Sequence, residues 1–149
     1  MIKGIILDYD GVIAESVDVK TTAFAELYKP FGYGIVQKVV QHHRANGGIS
    51  RFEKFKLYHK SYLGLDLSDR EIGNLSKEFS KLVLTQVIDS PYVFGALDFF
   101  KTCQTRYDLF ISTGTPIEEI KLILKAKNTH KYFKEVYGSP ASKISHIRE

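Results

Sequence analysis

Hydrophobic positions along this chain change period several times, and each change marks an element. Ile5-Ile6-Leu7 is an uninterrupted apolar run ended by Asp8, Asp10 and Gly11. A run without polar alternation predicts a strand buried on both faces of a parallel sheet. From Ser16 to Lys29 the spacing becomes helical, with Val19, Ala23, Phe24 and Leu27 on one face and Pro30 as the stop. Phe31 to Gly34 reads as a turn, and Ile35 to Ala45 as a second helix halted by Asn46-Gly47-Gly48. A third helix starts near Ser50, and its aromatic stripe of Phe52, Phe55, Tyr58 and Tyr62 ends at Gly64. That stripe reads as packing between helices. Ser68-Asp69-Arg70-Glu71 is a capping box, in which hydroxyl and carboxylate each satisfy an orphan amide. The helix it opens runs toward Val87, with Ile72, Leu75, Phe79, Leu82 and Val83 on one side.

After Pro91 and Gly95 the texture alternates again. Ala96 to Gln104 reads as a helix, Leu109-Phe110-Ile111-Ser112 as a short buried strand, and Glu135-Val136-Tyr137 as a third strand. Between the last two, Thr115 predicts an N-cap, Pro116 a first helical position and Glu118 the partner that completes the box. Lys125 and Lys127 fall in that helix's last turn, where cations suit the dipole. A further helix begins near Ser142. The pattern predicts an α/β protein with a Rossmann-like three-layer parallel-sheet core over residues 1–14 and 89–149, and an inserted α-helical cap over 15–88.

Composition narrows the function classes. The 149 residues suffice for one core domain with a modest insertion, and 44% hydrophobic with 26% charged residues describes an ordered, soluble chain. Cys103 is the only cysteine, so a disulfide framework and a thiolate metal cluster are excluded, which suits a reducing cytoplasm. The start Met1-Ile2-Lys3-Gly4 is not a signal peptide, because Asp8 and Asp10 interrupt its apolar run, and no stretch reaches a membrane span. A net charge of +4 favours anionic partners. The basic residues are spread along the chain, so a small phosphorylated substrate is expected rather than nucleic acid or a membrane.

The candidate chemistry stands at the carboxyl ends of the three strands, where open α/β sheets bind ligands. Alternation lets Asp8 and Asp10 lean the same way while Tyr9 points elsewhere, and Gly11 turns the chain aside. Thr113 follows the second strand and Lys143 the third. One carboxylate can attack phosphorus, and a second can protonate the leaving oxygen and later activate water. A hydroxyl and an ammonium can hold phosphoryl oxygens. The alternative for Thr113 is a cap on the turn before Thr115. In the insertion, Gly48 lets backbone approach a ligand, and Arg51, with Arg44, offers a fork for an anion. His42-His43 reads as a solvated face, and His130 and His146 lack ligand spacing.

Asp8-Tyr9-Asp10-Gly11-Val12-Ile13, Phe110-Ile111-Ser112-Thr113-Gly114 and the segment Tyr132 to Ser139 before Lys143 resemble, in order, the motifs of the haloacid dehalogenase superfamily. The nearest likeness is to phosphatases and phosphoglucomutases whose helical cap follows the first strand. That resemblance implies Asp8 as nucleophile, Asp10 as general acid/base, Thr113 and Lys143 as phosphate-holding catalytic residues, and Mg²⁺ on Asp8 and Asp10. It also implies substrate contacts from Gly11, Gly114, Gly48 and Arg51. The expected activity is a Mg²⁺-dependent phosphatase acting through an aspartyl phosphate. The alternatives are a phosphomutase and a non-catalytic phosphate- or partner-binding module. A response-regulator receiver shares Asp, Thr and Lys, but the helical insertion argues against it. Family members continue to another strand with further acidic residues beside the first strand. This sequence ends at Glu149, so it is expected to be incomplete, with Ile5 to Leu7 an uncovered edge open to self-association.

Overall fold

The structure, a computed structural model, describes residues 2–148; Met1 and Glu149, the outer bounds expected for the core, lie outside it. Three parallel strands, β1 (Gly4–Leu7), β2 (Asp108–Pro116) and β3 (Glu135–Ser139), form a sheet in the order β1-β2-β3. Ile5 pairs with Leu109 and Leu7 with Ile111, while Ile111 pairs with Val136 on the other side. Among the described residues β1 has β2 as its one neighbour, and Ile6 is half exposed.

Between β1 and β2 stand α1 (Val17–Tyr28), α2 (Tyr33–Ala45), α3 (Arg51–Tyr58), α4 (Asp69–Asp89) and α5 (Ala96–Cys103). The first four gather an aromatic core of Phe24, Tyr28, Phe55, Tyr58 and Phe79, all at most 2% exposed. Phe24 sits 4.5 Å from Phe79 and 5.9 Å from Phe55 between ring centres, so the stripe on α3 does pack helix on helix. Its helix is not uniform. The regular turns stop at Tyr58, and a wider turn over His59–Leu63 carries the chain to Gly64, which is left-handed at φ 69°. The capping box at Ser68 and Glu71 forms as expected.

The second strand is longer than its apolar run, and this corrects the reading of Thr115 as an N-cap. Extended backbone continues through Thr115 to Pro116, and α6 (Ile117–Ala126) opens without a side-chain cap. The Thr115 hydroxyl is engaged instead with Lys20 and Thr113, so it has no share in the helix start. Lys127 lies just past α6 and donates at 2.7 Å to the carbonyls of Ile88 and Ser90, closing the end of α4 rather than its own helix. After β3, Ser142 caps the short helix α7 (Lys143–His146).

Gly138 in β3 carries the junction of β2 and α6 against its backbone. A Cβ there would stand 2.6 Å from the Thr115 carbonyl and 2.7 Å from the Ile117 backbone. Gly138→Ala is therefore expected to cost about 1–3 kcal/mol, the usual range for overpacking. Urea denaturation measures it, and an unchanged midpoint would show that the junction yields freely.

Candidate active site

Asp8 follows β1 directly and is two-thirds buried. Its Oδ1 accepts from the Tyr9 amide at 2.7 Å, and its Oδ2 accepts a short bond from the Lys143 ammonium. Tyr9 turns the other way and is wholly buried, as strand alternation requires. Ser142 fixes the start of α7 and so presents Lys143 to the crevice. The chain then reverses at Gly11, whose φ of 74° is a conformation that glycine supplies without strain.

Asp10 is held more tightly. Its Oδ1 accepts from Ser16 Oγ at 2.7 Å, and its Oδ2 accepts from Lys20 Nζ at 2.5 Å and Thr115 Oγ1 at 3.4 Å. Lys20 also donates to Thr115 Oγ1 at 2.6 Å. Burial alone would raise the Asp10 carboxyl, but the Lys20 charge and the bonds from Lys20 and Ser16 outweigh it and hold the group below the usual carboxylate range. Thr113 is fully buried, and its Oγ1 accepts from the Thr115 amide at 3.2 Å.

The helical insertion closes over these groups. Its loop Gly47-Gly48-Ile49 lies against the strand end, so that a Cβ on Gly114 would stand 3.4 Å from the Gly48 and Ile49 carbonyls. A Cβ on Gly48 would come 3.6 Å from Lys143 Nζ. A cavity of about 140 Å³ is bordered by that loop and by Asp8, Asp10, Lys20, His43, Arg51 and Lys54. Arg51 borders it while fully engaged. Its guanidinium makes a two-pronged pair with Glu119 on α6, at 2.9 and 2.5 Å, and reaches Ser80 on α4 at 2.8 Å.

No family model and no curated protein matches this sequence. Solved structures do. A β-phosphoglucomutase from Clostridium difficile superposes with a TM-score of 0.74 at 19% identity, over 96% of this chain and 64% of that one. CbbY from Rhodobacter sphaeroides, in complex with xylulose-(1,5)bisphosphate, gives 0.69 at 13% identity over 96% and 66%. YfnB from Bacillus subtilis, bound to magnesium, gives 0.62 at 15% identity over 93% and 65%. The fold is haloacid dehalogenase-like. The chain spans about two-thirds of the length of these HAD-like structures.

In this HAD-like frame, Asp8, Asp10, Lys143, Gly48, Gly114 and Arg51 converge on one crevice, while Thr113 stands behind Thr115. Sequence reasoning passed over Lys20, Ser16 and Thr115, which clasp Asp10, and Glu119, which clasps Arg51. It also read His43 as solvated, and this is corrected: the ring is 5% exposed, 4.7 Å from Phe24, with its Nδ1 2.8 Å from Lys54 Nζ. His42 bonds Tyr58 through Nδ1 at 3.1 Å. No described helix is long and apolar enough to cross a membrane.

Asp8 and Asp10 offer hard oxygen donors, and among the described residues no cluster of three or more His, Cys, Asp or Glu side chains gathers to hold a metal. Such a sparse oxygen set fits Mg²⁺, which binds through one or two carboxylates together with waters and substrate phosphate.

Burial and the adjacent Lys54 and Lys20 charges push the His43 imidazole down to about 3. The unfolded ring takes a proton near pH 6.5 and the folded one resists it, so the unfolded state binds more protons between about 6.5 and 3. Stability is thus lost as pH falls through that window, by about 2–3 kcal/mol at pH 4.5. Urea midpoints at pH 7.5 and 4.5 should separate in the native chain and draw together in His43→Leu.

Proposed function

We propose that this chain is a phosphomonoester hydrolase working through an aspartyl phosphate on Asp8. One observation carries the reading: two neighbouring carboxylates at a strand's carboxyl end border one cavity, each matched to its own lysine. Asp8 attacks phosphorus as the ester P–O bond breaks, and the leaving oxygen takes a proton from Asp10. Water then attacks the acyl phosphate, Asp10 takes its proton, and inorganic phosphate departs with Asp8 restored. In the resting site Lys20 keeps Asp10 ionised. An arriving phosphate ester brings like charge beside it and raises its affinity for a proton, which Asp10 takes up from solvent or from the ester monoanion before delivering it to the leaving oxygen. Lys143 offsets charge on the phosphoryl oxygens, and Thr113 and Thr115 set the strand end that faces them.

Asp8 and Asp10 would hold Mg²⁺, which when bound supplies positive charge to the phosphoryl group. The small cavity and the lid formed by Gly48 suit a small phosphorylated metabolite. The test is release of inorganic phosphate from p-nitrophenyl phosphate with Mg²⁺ present. Turnover that EDTA removes and Mg²⁺ restores is expected, and its absence would favour a non-catalytic phosphate-binding module.

A further inference from the structure

Five charges outside the Asp8–Lys143 pair border or support the cavity, and four of them are neutralised in two pairs. Asp10 is matched by Lys20, and Arg51 is matched by Glu119 outside the cavity. Lys54 is not matched. It is 1% exposed, and its one hydrogen bond among the described residues goes to His43 Nδ1, a neutral acceptor. Beside it stand the face of Phe24, 5.6 Å from the ammonium, and the Lys20–Asp10 pair, whose opposite charges also act on it, so that Lys54 has no counter-ion of its own. A lysine only donates, so Nδ1 accepts and the proton of the neutral imidazole resides on Nε2. That Nε2 is buried and has no hydrogen-bond partner among the described residues, although His43 is itself 95% buried and borders the cavity. Arg44, exposed at the mouth, borders the same space.

A buried ammonium without a counter-ion and a buried N–H without an acceptor are both costly, and an anionic ligand would satisfy both. We infer that Lys54 and the His43 Nε2–H form an anion subsite on the cap side of the cavity. The substrate accordingly carries a second anionic group, carboxylate or phosphate, on the portion that leaves. This rests on the hydrolase reading only for what occupies the Asp8 end. The volume of about 140 Å³ resembles an engineered cavity of roughly 150 Å³ that holds benzene, so the leaving portion is a short one. Burial lowers the Lys54 ammonium to about 8, so it is charged at neutral pH, and a bound anion would favour that charge further.

Three probes share one chain length: the phosphate ester of a short hydroxy acid, its uncharged amide, and the matching bisphosphate. KM and kcat are measured for each, with calorimetric binding alongside. One or both of the doubly anionic probes should bind roughly tenfold to a hundredfold more tightly than the amide, the worth of a charge-assisted hydrogen bond. Lys54→Gln should erase that preference through KM, and Lys54→Arg should restore part of it. Arg44→Ala, at an exposed position, should weaken the doubly anionic probes by about twofold to fivefold without touching the fold. Equal affinity for all three probes in the native chain, or an equal loss for all three in Lys54→Gln, overturns the inference. Calorimetric preference that Lys54→Gln abolishes, in a chain that hydrolyses none of the probes, leaves the subsite standing and removes the hydrolase.

Discussion

Asp8→Asn should reduce hydrolysis of p-nitrophenyl phosphate by about a thousandfold or more, the order seen when a nucleophile is removed. The amide keeps the shape of the side chain and can still accept from the Tyr9 amide. What it lacks is the charge and the oxygen nucleophile that would make the acyl phosphate. Stability should barely move, because the pair it breaks is one-third exposed on both partners, and such pairs contribute about 0–1 kcal/mol. Activity and melting temperature measured on the same preparation therefore separate chemistry from folding. Asp10→Asn should behave differently. It removes the negative charge facing Lys20 Nζ, so a 10%-exposed ammonium loses its counter-charge and stability falls with activity. A variant at Asp8 that retains turnover would sink the nucleophile, whatever the fate of Asp10.

How the site could be read from the sequence follows from where each side chain's partner lies. Asp8 and Asp10 are legible because they follow a strand's end, and Lys143 because it lies a few residues past another, and a strand end in a parallel sheet is a ligand site before any contact is known. The helices are legible from period. Lys20, Lys54 and Glu119 were missed, and the Arg51 guanidinium was read as open to an anion, because their partners lie on other elements: Thr115 for Lys20, His43 for Lys54 and Glu119 for Arg51. A signal was nonetheless present. Lys20 precedes Phe24 and Tyr28 by one and two helical turns, so it sits on the buried stripe of α1. Arg51 and Lys54 fall in register with Phe55 and Tyr58, and Glu119 with Ile123. Charges at apolar-stripe positions are buried charges, and buried charges need partners. The extent of β2 was not legible, because Ser112-Thr113-Gly114-Thr115 has turn composition and is extended only by pairing with β3 and by the hydroxyl contacts of Thr115.

Arg51→Met and Glu119→Leu should each destabilise the chain by about 3–5 kcal/mol, since each strands a buried charge. Both side chains are at most 6% exposed, so solvent cannot take over for the lost partner. The pair also does a spatial job. Arg51 begins α3 in the insertion, Ser80 belongs to α4, and Glu119 belongs to α6, which follows the strand that carries Thr113 and Thr115. The Arg51 guanidinium further stacks 4.5 Å over Phe79, which extends the link into the aromatic core. Breaking the pair thus loosens the insertion from the sheet it covers, and the Gly48 lid with it. The double replacement Arg51→Met with Glu119→Leu leaves no stranded charge and should recover most of the loss, giving a coupling of about 2 kcal/mol or more. Its activity should stay low, because apolar packing does not reproduce the fixed angle that a two-pronged pair imposes. Urea denaturation of the four chains gives the coupling directly. Additive single effects would mean that the pair does not join insertion to core, and full activity in the double variant would mean that the lid is positioned by Gly48 and Gly114 alone.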